Sequence, residues 1–186
     1  MVDFKTCGRL PEDSGPFDFL KYCRDVVDFP KKGVIFKDIT PLLKNGAVFK
    51  RAIDEIASHF DLGNSDLIAC VDARGFIIGA ALAYKIGCGL IPIRKKGKLP
   101  WQVTRVTYDL EYGQDTLEMH KDAIEPGQRV LIVDDVIATG GTAKAVASLV
   151  RMMKGEIIGA AFLIELIDLK GREKLKDIHV YSLVAC

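Results

Sequence analysis

Nowhere does this sequence run through the roughly 20 consecutive apolar residues that a membrane-spanning helix needs. Its first residues, MVDFKTCGRLPEDSGP, lack the apolar stretch of a signal peptide. An excess of charge of one sign is missing too. The 26 Lys and Arg face 25 Asp and Glu, a formal net charge of +1. That balance speaks against nucleic acid or a membrane surface as the main partner. No two cysteines have CxxC spacing. Cys7, Cys23, Cys70, Cys88 and Cys186 are scattered and odd in number, and they read as reduced thiols of a cytoplasmic protein. Internal repeats, low-complexity blocks and Pro/Ser-rich linkers are also lacking. Residues 1–186 therefore read as a single domain, with 1–16 as a loose N-terminal arm.

What is present suits a globular chain: 49% apolar and 27% charged residues. Residues 17–27 carry Phe17, Leu20, Cys23 and Val27 at near-helical spacing. Phe49, Ile53, Ile56, Ala57 and Phe60 mark an amphipathic helix over 48–60. LIACV (67–71) and GLIPI (89–93) are short apolar runs that read as buried strands, with a helix over 75–86 between them. RVLIVDD (129–135) is apolar on both faces and is the clearest strand. A helix through Ala143, Val146, Ala147, Val150 and Met153 follows it, and then IIGAAFLIEL (157–166) and HVYSLV (179–184). Strands buried on both faces that alternate with helices predict an α/β fold, a central mostly parallel sheet flanked by helices. Ligands of such sheets bind at the carboxyl ends of the strands. Residues 98–121 break the pattern. They read as a polar hairpin outside the core, suited to be a lid.

The chemistry concentrates in VLIVDDVIATGGT (130–142). Asp134 and Asp135 stand where the strand is expected to end. Neighbouring side chains on a strand point to opposite faces, so two adjacent acids serve one ligand only where the chain turns. A carboxylate pair accepts hydrogen bonds, and a vicinal diol offers two. Next come Ala138, Thr139, Gly140, Gly141 and Thr142 and the start of a helix. Glycines permit a tight turn with exposed N–H groups, and the helix presents its positive end. An acid pair followed by a phosphate cup describes a ribose 5-phosphate site. A P-loop would need GxxxxGK[ST], and a dinucleotide site GxGxxG; neither is present. An acid pair at a strand end is also compatible with a metal site of receiver type, which the adjoining cup does not require.

This stretch resembles the PRPP-binding motif of type I phosphoribosyltransferases. FPKKGVIFKDITPLL (29–43), DARGFIIGAALA (72–83), IRKKGKLP (93–100), LEYGQDTLEMH (110–120), EPGQRVLIVDDVIATGGT (125–142) and IELIDLKGREKL (164–175) resemble, in order, successive motifs of the adenine-using branch of that family. Trp101 and Gln102, just before the hairpin, carry none of the resemblance. It implies the type I phosphoribosyltransferase fold with a hairpin lid and a small hood. It also implies transfer of a 5-phosphoribosyl group from PRPP to adenine, giving AMP and pyrophosphate in purine salvage.

By that resemblance, Asp134 and Asp135 hold the ribose hydroxyls, and Ala138, Thr139, Gly140, Gly141 and Thr142 hold the 5′-phosphate. Ala73 and Arg74 form the pyrophosphate loop, for which a cis non-proline peptide is implied; Ala73–Arg74 is the bond considered. Arg94, Lys95 and Lys98 of the basic loop add pyrophosphate contacts, which in a homodimer can reach the neighbour's site. Glu111 is the general acid or base at the purine, and Tyr112 of the lid closes over it. The ring of Phe36 stacks on adenine, and the backbones of Ile35 and Lys37 read its edge. A carbonyl there accepts from the exocyclic amine and rejects a 6-oxo purine. Leu163 and Glu165 form the second wall. Mg²⁺ is held mainly by PRPP and water, with no direct side-chain ligand expected. His59, His120 and His179 read as structural or surface residues. Two rivals follow: the same chemistry on hypoxanthine, guanine or xanthine, and a non-catalytic sensor of PRPP or nucleotides.

Overall fold

The structure is a computed structural model that describes residues 17–60, 65–110 and 113–186. It divides into two compact units, up to Glu55 and from Ile56 onward.

In the smaller unit, Phe19–Tyr22 form one 3-10 turn, capped by the Asp18 carboxylate on the Leu20 N–H. Strand β1 (Arg24–Val27) then pairs antiparallel with β2 (Ile35–Asp38). The helical spacing read over 17–27 is therefore corrected to a turn and a strand. Four apolar positions matched a helix by chance, and the pairing of Val26 with Phe36 across the ladder decided otherwise. Asp38 anchors the end of β2. It accepts from Arg24 Nη2 at 2.5 Å and from the Thr40 N–H at 2.9 Å. Those bonds, the Arg24 guanidinium first, hold its carboxyl down at about 2. Two helices follow. The five-residue α1 (Thr40–Lys44) has Pro41 in its first turn, where no N–H is missed. The α2 helix (Gly46–His59) matches the periodicity read over 48–60. Residues 17–55 supply the accessory unit that the fold expectation called a hood.

Among the described residues, the larger unit has a seven-stranded sheet in the order β5-β6-β4-β3-β7-β8-β9. Its centre is β3 (Leu67–Val71), β4 (Gly89–Lys95), β7 (Arg129–Ile137), β8 (Glu156–Glu165) and β9 (Val180–Ala185). All neighbours among these five are parallel, as expected of strands that are apolar on both faces. One face carries Ala69, Ile91, Ile132, Ala160 and Phe162 beneath α4 (Gly141–Met152). The other receives α3 (Arg74–Ile86), whose Gly79 comes so close to Cys70 that a Cβ would sit 2.7 Å from that side chain. Burial pushes the Cys70 thiol up to about 12. It packs as a small hydrophobe. Among the described residues, no helix is long and apolar enough to cross a membrane.

The hairpin is not outside the core. Strands β5 (Val103–Leu110) and β6 (Gly113–His120) pair along their length, and β6 joins β4 through Arg94↔Glu118 and Lys95↔Leu117. Leu117 and Met119 are buried in the main cluster with α4. The sequence looked polar there because only one face of the hairpin is covered. Leu117→Ala is accordingly expected to cost about 2–5 kcal/mol, as a buried core leucine does, read from denaturant unfolding. An exposed hairpin residue would cost under about 0.5 kcal/mol.

Candidate active site

Strand β7 carries the acid pair, but it does not end there. The ladder with β8 continues through Val136↔Ile164 and Ile137↔Glu165, so the strand stops at Ile137, two residues after Asp135. This corrects the expected boundary. The two acids obey strand geometry and do different things. Asp134 lies opposite Phe162 and lines a cavity of ≈ 80 Å³ together with Ala138, Thr139, Gly140, Gly141 and Thr142. Such a volume holds several waters or one small anion. Asp135, 7% exposed, turns to α3, where its Oδ2 sits 2.6 Å from Arg74 Nη2. That oxygen has no aligned hydrogen bond.

Both acids are held at high energy as anions. Burial, and then the charge of Asp135, pushes Asp134 well above the usual carboxylate range. Burial also raises Asp135, with the Arg74 guanidinium pulling the other way. Asp134 Oδ1 accepts the Asp135 N–H at 2.9 Å. A Cβ on Gly75 would sit 2.7 Å from this same oxygen, so only glycine lets the start of α3 approach the acid.

The cavity floor is the beginning of α4. Its N-cap, Gly140, has φ +74° and offers no side-chain cap. The first N–H groups of a helix lack intrahelical partners. Here they open beside two threonine hydroxyls, and the combination suits an anion. Tyr108 of β5 reaches Thr142, hydroxyl to hydroxyl, at 3.3 Å, which ties the hairpin to the cup.

The loop after β3 contains a cis peptide at Asp72–Ala73. It precedes the Ala73–Arg74 bond that was considered, so the cis position is corrected by one residue. Ala73 caps α3, and Arg74 begins it. The basic loop is tied in place. Arg94 Nε lies 3.3 Å from Asp72 Oδ2, and its Nη1 donates to Lys98 O at 3.0 Å. Lys95 Nζ is 3.1 Å from Asp115 of β6, and Asp115 raises its pKa. Beneath them Glu118, 3% exposed, accepts the Gly97 N–H at 2.9 Å. Sequence reasoning missed Glu118, Asp115 and Tyr108. The alternation of TLEMH marks inward positions, but which loop they serve is set by strand pairing across the sheet.

Of the remaining site residues, Ile35, Phe36 and Lys37 lie on β2 in the smaller unit. Phe36 meets Phe29 edge-on at 5.2 Å, and Lys37 Nζ pairs with Asp25 at 2.7 Å. Backbone groups two residues apart on a strand point the same way, so Ile35 and Lys37 can present theirs together. Leu163 and Glu165 lie on β8 in the larger unit. Leu163 is fully buried, and the Glu165 carboxylate is engaged by Arg172 and by Ser182 Oγ, the latter at 2.8 Å. The catalytic expectation for Glu111 and the lid expectation for Tyr112 lie outside the described residues, as does the arm 1–16.

The histidine reading finds a partner it did not foresee. His59 Nε2 and His179 Nε2 approach to 3.0 Å, with Tyr181 stacked on His59.

Comparison with known proteins agrees with this geometry. The family model described as a phosphoribosyl transferase domain matches residues 38–186. An adenine phosphoribosyltransferase of Lactobacillus acidophilus is 53% identical over 167 residues, 90% of this chain and 95% of that one. The enzyme of the same name from Acidobacterium capsulatum is 56% identical over 161 residues, 87% and 89% of the two chains. Among solved structures, adenine phosphoribosyltransferase of Thermoanaerobacter pseudethanolicus superposes with a TM-score of 0.87 at 49% identity, covering 89% and 96%. That of Saccharomyces cerevisiae, complexed with adenine and an imino-altritol bisphosphate, gives 0.84 at 39% identity, covering 88% and 96%.

Proposed function

The chain belongs to the phosphoribosyl transferase family, and on that premise we propose that it is an adenine phosphoribosyltransferase: it transfers the 5-phosphoribosyl group of PRPP to adenine, giving AMP and pyrophosphate. One observation carries the reading. A half-buried acid on β7 and an uncapped helix start line the same phosphate-sized cavity, at the carboxyl edge of a parallel sheet. The family match begins at Asp38, inside the smaller unit, and runs through the larger one, which supports reading both as one functional domain.

In this reading the N–H groups of 139–142 and the hydroxyls of Thr139 and Thr142 hold the 5′-phosphate. Asp134 accepts from a ribose hydroxyl, and Asp135 accepts from the other once it leaves Arg74. As the bond from the anomeric carbon to pyrophosphate breaks, positive charge grows on the sugar and negative charge on the leaving group. Arg74, with Arg94, Lys95 and Lys98 behind it, faces that negative charge. Adenine N9 forms the new bond to the anomeric carbon, and its proton passes to Glu111. Phe36 stacks on the base, and the backbones of Ile35 and Lys37 read its edge. The lid role assigned to Tyr112 keeps water from the sugar cation.

The reading includes Mg²⁺ bound mainly by PRPP oxygens and water. A hard cation takes oxygen donors and keeps several waters. The diphosphate and hydroxyl oxygens of PRPP are donors of that kind, so the ion arrives with its substrate and needs no side-chain ligand. When bound, the ion neutralises diphosphate charge. A homodimer in the cytoplasm completes the proposal. Its support is the exposed apolar surface at Ile77 and Tyr84, seven residues apart on α3, and at Leu90 on β4, together with Cys70, Cys88 and Cys186, none of which is in a disulfide.

The test is an assay of purified protein with PRPP, Mg²⁺ and adenine, hypoxanthine, guanine or xanthine in turn. AMP is the expected product, with little nucleotide from the 6-oxo purines. Preference for a 6-oxo purine overturns the adenine assignment, and no nucleotide from any base overturns the transferase reading. Chelation of Mg²⁺ is expected to stop turnover; unchanged turnover removes the metal.

A further inference from the structure

The phosphate loop leans on a second glycine far along the chain. A Cβ added to Gly171 would overlap Ala138 O outright, and would lie 2.8 Å from Gly140 N and 2.9 Å from Ile137 Cγ1. The closeness is mutual: a Cβ on Gly140 would overlap Gly171 O and come within 2.9 Å of its carbonyl carbon. Backbone therefore packs directly on backbone, and no side chain fits between the two segments. Gly171 is buried, and its φ lies outside the left-handed region. Space, not conformation, requires glycine there.

The segment that carries Gly171 is itself clamped. Beyond the end of β7 the Leu166 N–H donates to Ile137 O at 3.0 Å. Lys170, with φ +51°, turns the chain, and its carbonyl accepts the Glu173 N–H at 3.0 Å. Arg172, the next residue after Gly171, donates through Nη1 to Val180 O at 2.6 Å and through Nε to Glu165 Oε1 at 3.0 Å, with Nη2 on the other oxygen of that carboxylate. Ser182 Oγ donates to the same carboxylate at 2.8 Å. Arg172 thus bolts the segment to β8 and β9. Three residues after Arg172, Leu175 is buried in the core beside α4.

We propose that Gly171, held by the Arg172 clamp, is a positioning residue for the phosphate loop: its backbone is the rear wall that sets where the N–H groups of 139–142 point. The inference rests on the phosphoribosyltransferase reading for its ligand, though not for its geometry. A hydrogen bond weakens steeply once donor and acceptor pass about 3.2 Å or the angle falls away. A methyl group at 171 would have to displace Ala138–Gly140, and a shift of the loop backbone carries its N–H groups out of that range. Groups that bind phosphate would suffer, and groups that bind the free base would not. The proposal also gives Glu165 a different task from the adenine wall: its carboxylate anchors Arg172.

The experiment compares Gly171→Ala, Arg172→Ala and Arg172→Lys with the unaltered protein. Four quantities are read: KM for PRPP, AMP affinity by calorimetry, adenine affinity, and amide hydrogen exchange across 138–142. Gly171→Ala is expected to raise KM for PRPP and weaken AMP at least tenfold, with adenine affinity within twofold and faster exchange in the loop. Arg172→Ala shifts the same quantities less, and Arg172→Lys recovers part of that loss. Wild-type KM and exchange in a folded Gly171→Ala protein overturn the proposal. So do equal losses for adenine and AMP, which would mark general loosening. Should Gly171→Ala fail to fold, unchanged KM and exchange in Arg172→Ala overturn it. If the unaltered protein binds neither AMP nor PRPP, the functional reading falls, and the exchange data alone still decide the role of Gly171.

Discussion

Arg74→Ala is expected to lower kcat at least about a hundredfold, because removing one well-aimed donor to developing charge costs about 3–4 kcal/mol. Arg74 opens α3, so its guanidinium projects from a rigid element instead of a free loop. The substitution has a second effect. Asp135, 7% exposed, has Arg74 as the cation that draws its pKa back down. Without it, the acid is buried with less compensation and takes up a proton more readily. Arg74→Lys keeps a positive charge but loses the planar fork, and is expected to fall between the two. Steady-state kinetics with PRPP and adenine each varied in turn make the measurement. A variant that keeps most of its kcat would remove Arg74 from the chemistry. A large rise in KM for adenine would point to a disrupted fold instead.

Asp134→Ala is expected to cut kcat/KM for PRPP by about ten- to a hundredfold, the loss of a hydrogen bond involving a charged group at about 1.5–3 kcal/mol. Asp134 is the acid that lines the phosphate cavity, and it also accepts the Asp135 N–H. Asp134→Asn keeps the shape and removes the charge, so the pair of variants separates positioning from electrostatics. Stability should not follow activity. Burial and the neighbouring acid hold Asp134 well above its ordinary range, so a neutral replacement relieves repulsion. Denaturant unfolding should find Asp134→Asn at least as stable as the parent protein. A variant with normal kcat/KM would mean that the sugar lies elsewhere.

Local order was legible in the sequence. Continuous apolar runs marked β3, β7 and β8, and 3.6-residue spacing marked α2 and α4, because each such element is buried along a face its own residues announce. The residues 134–142 were legible for the same reason: acids, glycines and threonines in one short run act on what lies next to them. Where elements meet was not legible. Residues 17–27 matched a helix, but β2 recruited the last four of them into a ladder. The hairpin looked solvated, and yet β4 captured β6 and buried Leu117 and Glu118. Glu165 looked available to a ligand until the chain brought back Arg172 and Ser182. Gly171 carried no signal at all. A glycine needed for close approach is indistinguishable in sequence from one needed for a turn, and its counterpart Gly140 lies 31 positions away.

The pairing of Arg74 with Asp135 makes the resting site electrically self-contained. Each group is the other's counterion, so neither is released to a ligand unless the other is provided for. A molecule that brings only sugar hydroxyls must pull the carboxylate from its guanidinium without returning a negative charge to it. One that brings only a diphosphate strands the acid. A compound bearing both ends satisfies the two in one exchange, and that reciprocity favours the intact donor over its fragments without a single contact added for the purpose.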